Sequence, residues 1–376
     1  MKNPLKCAVI GAGVIGAAAA AALAKRGAAT TVYEQFSRQH KKGGSHGTTR
    51  LFRIAYFEDP AYVPLAQKSA RLWRKLEQLS NRKILKQTGV LIAGAPQGKI
   101  VQGSLQAAQR HGLSIESLDG SAARRKAGWV AFDNEMAFLF EAEGGVLLAE
   151  AAHLALLEEA IANSARILEN TRITAIEPYK SSLRLYSDSG TVDFDRVVIA
   201  AGPWAPQLVE APGIIPIQKT LCWMQPRSGG EAVVRNSPAV AIEEKNGDFY
   251  YAIPPVDHNG VKFGAHHGGA ALGRPGDMND LAHEDAIRNG TEYAKLRYSG
   301  LVPAVTSSQR CLYDMSPDGH FVIDYAKEDN RILVGTGFSG HGFKFAPVIG
   351  EALAQMALDG EMPESFSLFR ASRFDA

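Results

Sequence analysis

Cysteine is scarce in this chain. Its three cysteines, Cys7, Cys222 and Cys311, are spread over 376 residues, which excludes a disulfide framework and matches no zinc spacing. A reducing, cytoplasmic setting is the corresponding expectation. Net charge is also nearly absent, since 41 lysines and arginines face 39 aspartates and glutamates and leave +2. Such a balance gives no electrostatic drive toward nucleic acid or an anionic membrane, and neither is expected as a partner. The short basic runs Lys41-Lys42 and Arg124-Arg125-Lys126 read as solvated loop or helix faces. Beyond the N-terminal segment no apolar run has transmembrane length.

That N-terminal segment, residues 7–24, could pass for a signal peptide after its two lysines. Its glycines and the downstream strand favour another reading. A short apolar strand, Lys6 to Ile10, leads into Gly11-Ala12-Gly13-Val14-Ile15-Gly16 and then an alanine-rich helix that stops near Lys25-Arg26-Gly27. A second strand, Thr30 to Tyr33, ends in Glu34. This is G-x-G-x-x-G between strand and helix, with an acid closing the next strand. Gly11 makes the tight turn, Gly13 lets backbone approach a pyrophosphate, and Gly16 lets helix pack on strand, with Val14 and Ile15 opening the helix. The helix N-terminus offers its amides and positive dipole end to the pyrophosphate. Glu34 suits ribose hydroxyls and argues against a 2′-phosphate. The fingerprint alone does not separate FAD from NAD.

Downstream, 61–79 reads as an amphipathic helix, and 149–163, 277–298 and 346–358 as further helices. Strand character covers 89–93, 137–140 and 166–177. A hairpin is expected at 183–194 around Ser189-Gly190, and a buried strand runs through Val197–Ala201 to Gly202. Residues 215–265 alternate strands and turns as in an antiparallel sheet. Nucleotide-type elements lie at both ends and in the middle. The expected fold is therefore α/β, with a discontinuous cofactor domain (1–80, 141–212 and 311–376) and a mainly antiparallel substrate domain inserted as 81–140 and 213–310.

Four blocks carry a resemblance that runs nearly the whole chain: the N-terminal fingerprint; Gly44 to Tyr56 with Tyr62-Val63-Pro64-Leu65; Tyr250 to His266; and Cys311-Leu312-Tyr313-Asp314-Met315-Ser316-Pro317-Asp318 with Gly337-Phe338-Ser339-Gly340-His341-Gly342-Phe343-Lys344. These residues resemble the monomeric sarcosine oxidase and N-methyltryptophan oxidase family, flavoenzymes of the glutathione-reductase-like FAD fold. The resemblance implies oxidative demethylation of an N-methyl amino acid by O₂, with formaldehyde, free amino acid and hydrogen peroxide as products, in a monomeric enzyme. It implies FAD attached covalently through Cys311. Arg53 and Lys344 match the pair that holds the substrate carboxylate, and guanidinium and ammonium suit that task. Arg50 matches a residue beside the flavin ring, or only a loop-positioning one. Lys262 matches the lysine that activates oxygen, where a fixed cation meets developing negative charge. Tyr251 and His266 match substrate-pocket residues. Ser45, His46, Thr49, Gly202, Gly337, Gly340, Gly342 and Phe343 complete the expected cofactor surroundings. His266-His267 lacks further ligands nearby, so no metal is expected. The family loop is of the type His-His-Gly-Asp-Thr-Arg; here it is Ser45-His46-Gly47-Thr48-Thr49-Arg50.

Overall fold

The computed structural model describes residues 3–211, 213–256 and 258–375. The apolar strand Lys6–Ile10 lies inside a six-stranded sheet, in the order Val322–Tyr325, Ile332–Thr336, Arg196–Ile199, Lys6–Ile10, Ala29–Tyr33, Arg166–Leu168. All neighbours are parallel except Val322–Tyr325 against Ile332–Thr336. Strand Lys6–Ile10 connects through its helix to one neighbour, while Arg196–Ile199 lies on its other side. The glycine turn thus opens at a point where strand order reverses, the usual crevice for a ligand in such sheets.

The helix Val14–Lys25 explains its own composition. Ten of its residues are buried, because helices Ala149–Ala162 and Ala346–Asp359 pack against it. Only small side chains let three helices approach that closely. A Cβ on Gly16 would fall 1.8 Å from the Gly11 carbonyl oxygen, and one on Gly350 would fall 2.5 Å from the backbone of Ala18. Helix Tyr62–Ser80 buries Tyr62, Leu65, Ala66, Ser69, Trp73 and Leu76, the three-and-four spacing of one apolar face, and ends at Asn81 in the left-handed region.

A nine-stranded sheet forms the second half of the architecture. Its order is Ala270–Ala271, Ile215–Pro226, Val261–Ala265, Phe249–Ile253, Ala239–Glu243, Val90–Gly94, Ala137–Glu141, Glu116–Leu118, with Leu301–Met315 also paired to Ile215–Pro226. The pairing of Ala239–Glu243 with Val90–Gly94 is parallel and the rest are antiparallel. A small sheet of Thr49–Phe52, Gly145–Leu148 and Leu85–Lys86 lies beside these. The mixed α/β architecture expected from the sequence is observed. Strand Leu301–Met315 runs unbroken past position 310, and Ala137–Glu141 crosses 140–141.

Two local expectations change. The strand expected over 166–177 is divided: Arg166–Leu168 joins the parallel sheet, while Ile173–Tyr179 starts a separate antiparallel sheet with Ser182–Ser187 and Gly190–Phe194. Between them Asn170 takes a left-handed φ of 52°, which turns the chain. Helices Lys99–His111 and Gly120–Lys126 were not anticipated; the basic run Arg124–Lys126 is the last turn of the second, where cations suit the helix dipole. Among the described residues no helix is long and apolar enough to cross a membrane.

The helix contact at Gly350 sets a stability prediction. Gly350→Ala forces a methyl into the backbone of Ala18 and should cost about 1–3 kcal/mol by overpacking. Gly276→Ala, in open space, should stay within about 0.5 kcal/mol of the parent. Urea denaturation of both variants measures the difference; equal midpoints would remove the packing argument.

Candidate active site

The glycine turn opens onto a cavity of about 450 Å³ lined by Gly11 to Ile15, Glu34, Ser45, His46, Gly202, Asp314, Gly340 and Phe343, among others. Its parts fit a dinucleotide. Gly11 has φ +99°, and a Cβ there would lie 2.5 Å from the Ala200 carbonyl oxygen. Glu34 is 4 % exposed; it accepts from the amides of Ala12 (2.8 Å) and Phe36 (2.9 Å), with His40 Nε2 at 3.4 Å. Burial pushes its carboxyl up, but these hydrogen bonds outweigh burial and hold it below the usual carboxylate range. An ionised acceptor suits ribose hydroxyls. Ser45 Oγ accepts from the Val14 amide at 3.0 Å, so the loop hydroxyl meets the opening of the first helix. His153, from helix Ala149–Ala162, donates from Nε2 to the Ala12 carbonyl at 2.6 Å and fixes the turn from behind. Nothing near the fingerprint signals His153, because it lies 141 residues away along the chain.

A second, smaller cavity of about 70 Å³ adjoins the first. Arg50, Tyr313, Gly340 and Phe343 line both and form the partition. The smaller one is lined by Thr49, Arg53, Tyr251, Lys262, His266, Cys311 and Lys344, with Glu58, Phe249 and His341. The substrate-side residues proposed from four distant parts of the sequence therefore converge. Gly337 lines neither cavity. It turns the chain at φ +66°, and a Cβ there would meet Ile214, Val322 and Ser316. Gly340 is a true close approach, since a Cβ would lie 2.1 Å from the Tyr313 ring.

Arg53 is 2 % exposed. Its Nη2 donates to Glu58 at 3.2 and 3.4 Å, and its guanidinium lies 4.5 Å from the Phe57 ring centroid and 5.1 Å from that of Tyr56. Its buried Nη1 has no partner among the described residues, so a charged donor is left for an incoming acceptor. Lys344 Nζ donates to Tyr56 Oη (3.0 Å) and the His341 carbonyl (3.3 Å). Tyr56 Oη in turn lies 2.9 Å from His341 Nδ1, and His341 Nε2 lies 3.0 Å from the Gly319 carbonyl. Burial and then Lys344 push His341 down to about 3, so it is neutral, with Nε2 the protonated donor and Nδ1 the acceptor. Burial and the Arg53 charge bring Lys344 down to about 7.

Lys262, 2 % exposed, donates to the carbonyls of Gly47 (2.8 Å) and Thr49 (2.7 Å). Burial and then Arg50 push its ammonium well below the ordinary lysine range. Arg50 clasps the same loop, donating to the carbonyls of Gly44 (2.7 Å), His46 (2.6 Å) and Thr49 (2.7 Å), and lies 5.1 Å from the Phe343 ring centroid. These bonds tie the loop 44–49 to its guanidinium. Cys311 is a free, buried thiol; burial raises its pKa, while Arg50 and Lys262 pull the other way. His46 is driven to about 4 by burial and Arg50 and stays neutral. His266 is also pushed well down, by burial and then His341, and its ring packs on Phe249 and Tyr313. Tyr251 is opposite Gly264 in the sheet. No cluster of three or more His, Cys, Asp or Glu with metal-binding geometry occurs among the described residues.

Sequence reasoning passed over Glu58, Tyr56, His341 and Lys219. The last is 5 % exposed, faces Cys311 across the strand pair and donates to the carbonyls of His266, His267 and Gly268 at 2.6–3.1 Å.

The comparisons with known proteins agree with this geometry. Residues 6–356 match the family model described as FAD dependent oxidoreductase. N-methyl-L-tryptophan oxidase of Yersinia pestis (strain Pestoides F) is 32% identical over 373 residues, covering 97% of this chain and 98% of that protein. NikD, an unusual amino acid oxidase essential for nikkomycin biosynthesis, superposes with a TM-score of 0.84 at 20% identity, covering 98% of each chain. Glycine oxidase from Geobacillus kaustophilus does so at 0.80 and 20%, covering 99% of each; these two likenesses show the fold. With a fingerprint, an acidic strand end and a cavity that suit FAD, and a family model that spans most of its length, the chain belongs to the FAD-dependent oxidoreductase family.

Proposed function

We propose that this protein is an amine oxidase that demethylates an N-methyl amino acid: R–NH–CH₃, O₂ and H₂O give R–NH₂, formaldehyde and H₂O₂. The observation that carries the reading is the unpartnered Nη1 of buried Arg53, in one small cavity with Lys344 and against the FAD cavity. Bound FAD supplies the two-electron acceptor for the C–N bond being oxidised. In this reading 1–80, 141–212 and 311–376 hold the cofactor, with Cys311 as its covalent tether, and 81–140 and 213–310 cover the substrate.

The chain's own residues then have distinct tasks. Arg53 and Lys344 hold the carboxylate, and Tyr251, Phe249 and His266 wall the amine end in a space of low polarity. A half-buried, neutral His266 and apolar walls favour the uncharged amine, the form that can give up electrons. Lys262 presents a cation where negative charge develops on oxygen, and its two carbonyl acceptors favour the ammonium against burial. An anaerobic flavin-bleaching screen of N-methyl, primary and cyclic amino acids, followed by formaldehyde and peroxide assays, tests the reading. Bleaching by none of them, or turnover without peroxide, overturns it.

Individual groups carry three further expectations. Acid-precipitated protein should stay yellow, and Cys311→Ser should release its flavin to the supernatant; a yellow pellet from the Ser variant puts the tether elsewhere. Lys262→Met should leave anaerobic bleaching by substrate near normal and slow the oxygen half of turnover by about 10²-fold, the scale of one preorganised group in a dry site. Stopped-flow traces separate the two halves, and a collapse of the first half with a fast second would make Lys262 a substrate-binding group. The third expectation concerns pH. Lys344 has its pKa lowered to about 7, and a carboxylate gains its ion pair only with the ammonium. Carboxylate affinity should therefore be full below pH 7 and fall as pH rises, by about tenfold per unit, until the higher pKa of the ligand-bound state is passed. Inhibition by a simple monocarboxylate across this range reads the slope, which Lys344→Met should flatten.

A further inference from the structure

Glu141 is a buried carboxyl that the proposed chemistry does not use. It ends the strand Ala137–Glu141, opposite Val90, and is 3 % exposed. A carboxyl in such a place is costly unless it satisfies something in return. Its Oε1 accepts from the Ile54 amide at 2.5 Å, and the Ala55 amide also favours its charged form. Its Oε2 is buried and has no partner among the described residues. These amides belong to a segment without regular structure. Strand Thr49–Phe52 stops just before Arg53, and residues 53–58 are neither helix nor strand. Buried amides outside regular structure need acceptors from elsewhere. Arg53 and its counter-charge Glu58 both sit on this stretch.

We infer that Glu141 is a positioning residue for Arg53: by accepting the amides just beyond Arg53, Glu141 holds the backbone so that the guanidinium faces the smaller cavity. Glu141 comes from the far sheet, so the acceptor couples the clamp to the part of the molecule that walls the substrate. The charged groups around it fit this role. Arg53 opposes the effect of burial on Glu141, and Glu143 adds to it. Glu141 also acts on Lys344, the other clamp member. The inference rests on the carboxylate-clamp reading, and its test separates the two.

The holoenzyme carrying Glu141→Gln, Glu141→Leu or Arg53→Met is titrated calorimetrically with a simple monocarboxylate that has no amine to oxidise, and with its methyl ester. Glu141→Gln keeps the acceptor oxygen and should bind the carboxylate within about threefold of the parent. Glu141→Leu loses the acceptor and should weaken the carboxylate by about tenfold or more, the scale of one buried hydrogen bond to a charged group. The ester should be nearly unaffected. Equal loss for acid and ester marks a merely structural effect and overturns the inference, as does a folded Leu variant that binds the acid normally. If Leu does not fold, Gln decides: loss of acid binding there means that charge, not amide acceptance, matters. Unchanged acid binding in Arg53→Met removes the clamp itself, an outcome distinct from a failure of Glu141 alone.

Discussion

The site depends on buried cations that are held chiefly by backbone carbonyls instead of carboxylates. Lys262 and Arg50 bind carbonyls of the loop 44–49, and Lys219 binds three carbonyls of the turn 266–268. Among the cations lining the smaller cavity, Arg53 has a carboxylate partner, Glu58. Carbonyl dipoles satisfy the donors without cancelling the charge, so a positive field remains in the low-polarity space where the two cavities meet. That field suits an anionic substrate, a cofactor that gains electrons and oxygen that acquires charge. It is costly for an isolated chain to bury, which is why the surrounding loops are organised around these side chains.

The same interactions join the two sheets. Lys262 belongs to the nine-stranded sheet, while Thr49 starts a strand of the small sheet that continues toward Arg53. Cys311 and Lys219 share a register between the long strands Ile215–Pro226 and Leu301–Met315, and the latter ends at Met315, next to the Asp314 that lines the cofactor cavity. Buried Asp314, raised to about 6 by burial, is steadied by Thr336 Oγ1 at 3.3 Å and by the Ser339 amide to its carbonyl. The two cavities are therefore built on shared strands.

What could be read from the sequence was local or motif-borne. The fingerprint glycines and Glu34 announce themselves because turn, helix and strand succeed one another within one short stretch. Lys344 is legible because it stands among glycines and phenylalanines before a helix. Gly337 belonged to the same motif, yet its glycine serves a packed turn. Glu141 and His153 act through contacts between elements far apart in the chain, where a buried acid or a neutral histidine has no distinctive neighbours in sequence. Glu58 stands only five residues past Arg53 and His341 lies within the same motif as Lys344, but neither residue type discloses its partner in sequence. Lys219 was equally silent, since a lone lysine in a strand pattern looks like an edge residue until the 266–268 carbonyls close over it. The break between Arg166–Leu168 and Ile173–Tyr179 was hidden because isoleucines recur through both pieces, and the turn in the connecting residues 169–172 rests on a left-handed Asn170.

The loop Ser45–Arg50 shows how this charge-centred design holds a strained backbone. Thr48 has φ 51°, a region that is unfavourable for a β-branched side chain and easier for aspartate or asparagine. The strain, of the order of 1–3 kcal/mol for such a backbone, has to be held by neighbours. The Thr48 carbonyl accepts from Ala149 at 2.7 Å and its amide faces Glu150 at 3.4 Å, while the carbonyls on either side, of Gly47 and Thr49, are bound by Lys262. Ser45 contributes at the other end, where its hydroxyl accepts from the Val14 amide. A carboxylate at position 48 would relieve the backbone but place negative charge beside Glu150 and next to the carbonyls that Lys262 binds. Threonine keeps the cation field undiluted at the expense of backbone strain, and the buried lysine that needs those carbonyls is also the group that holds the strained turn in place.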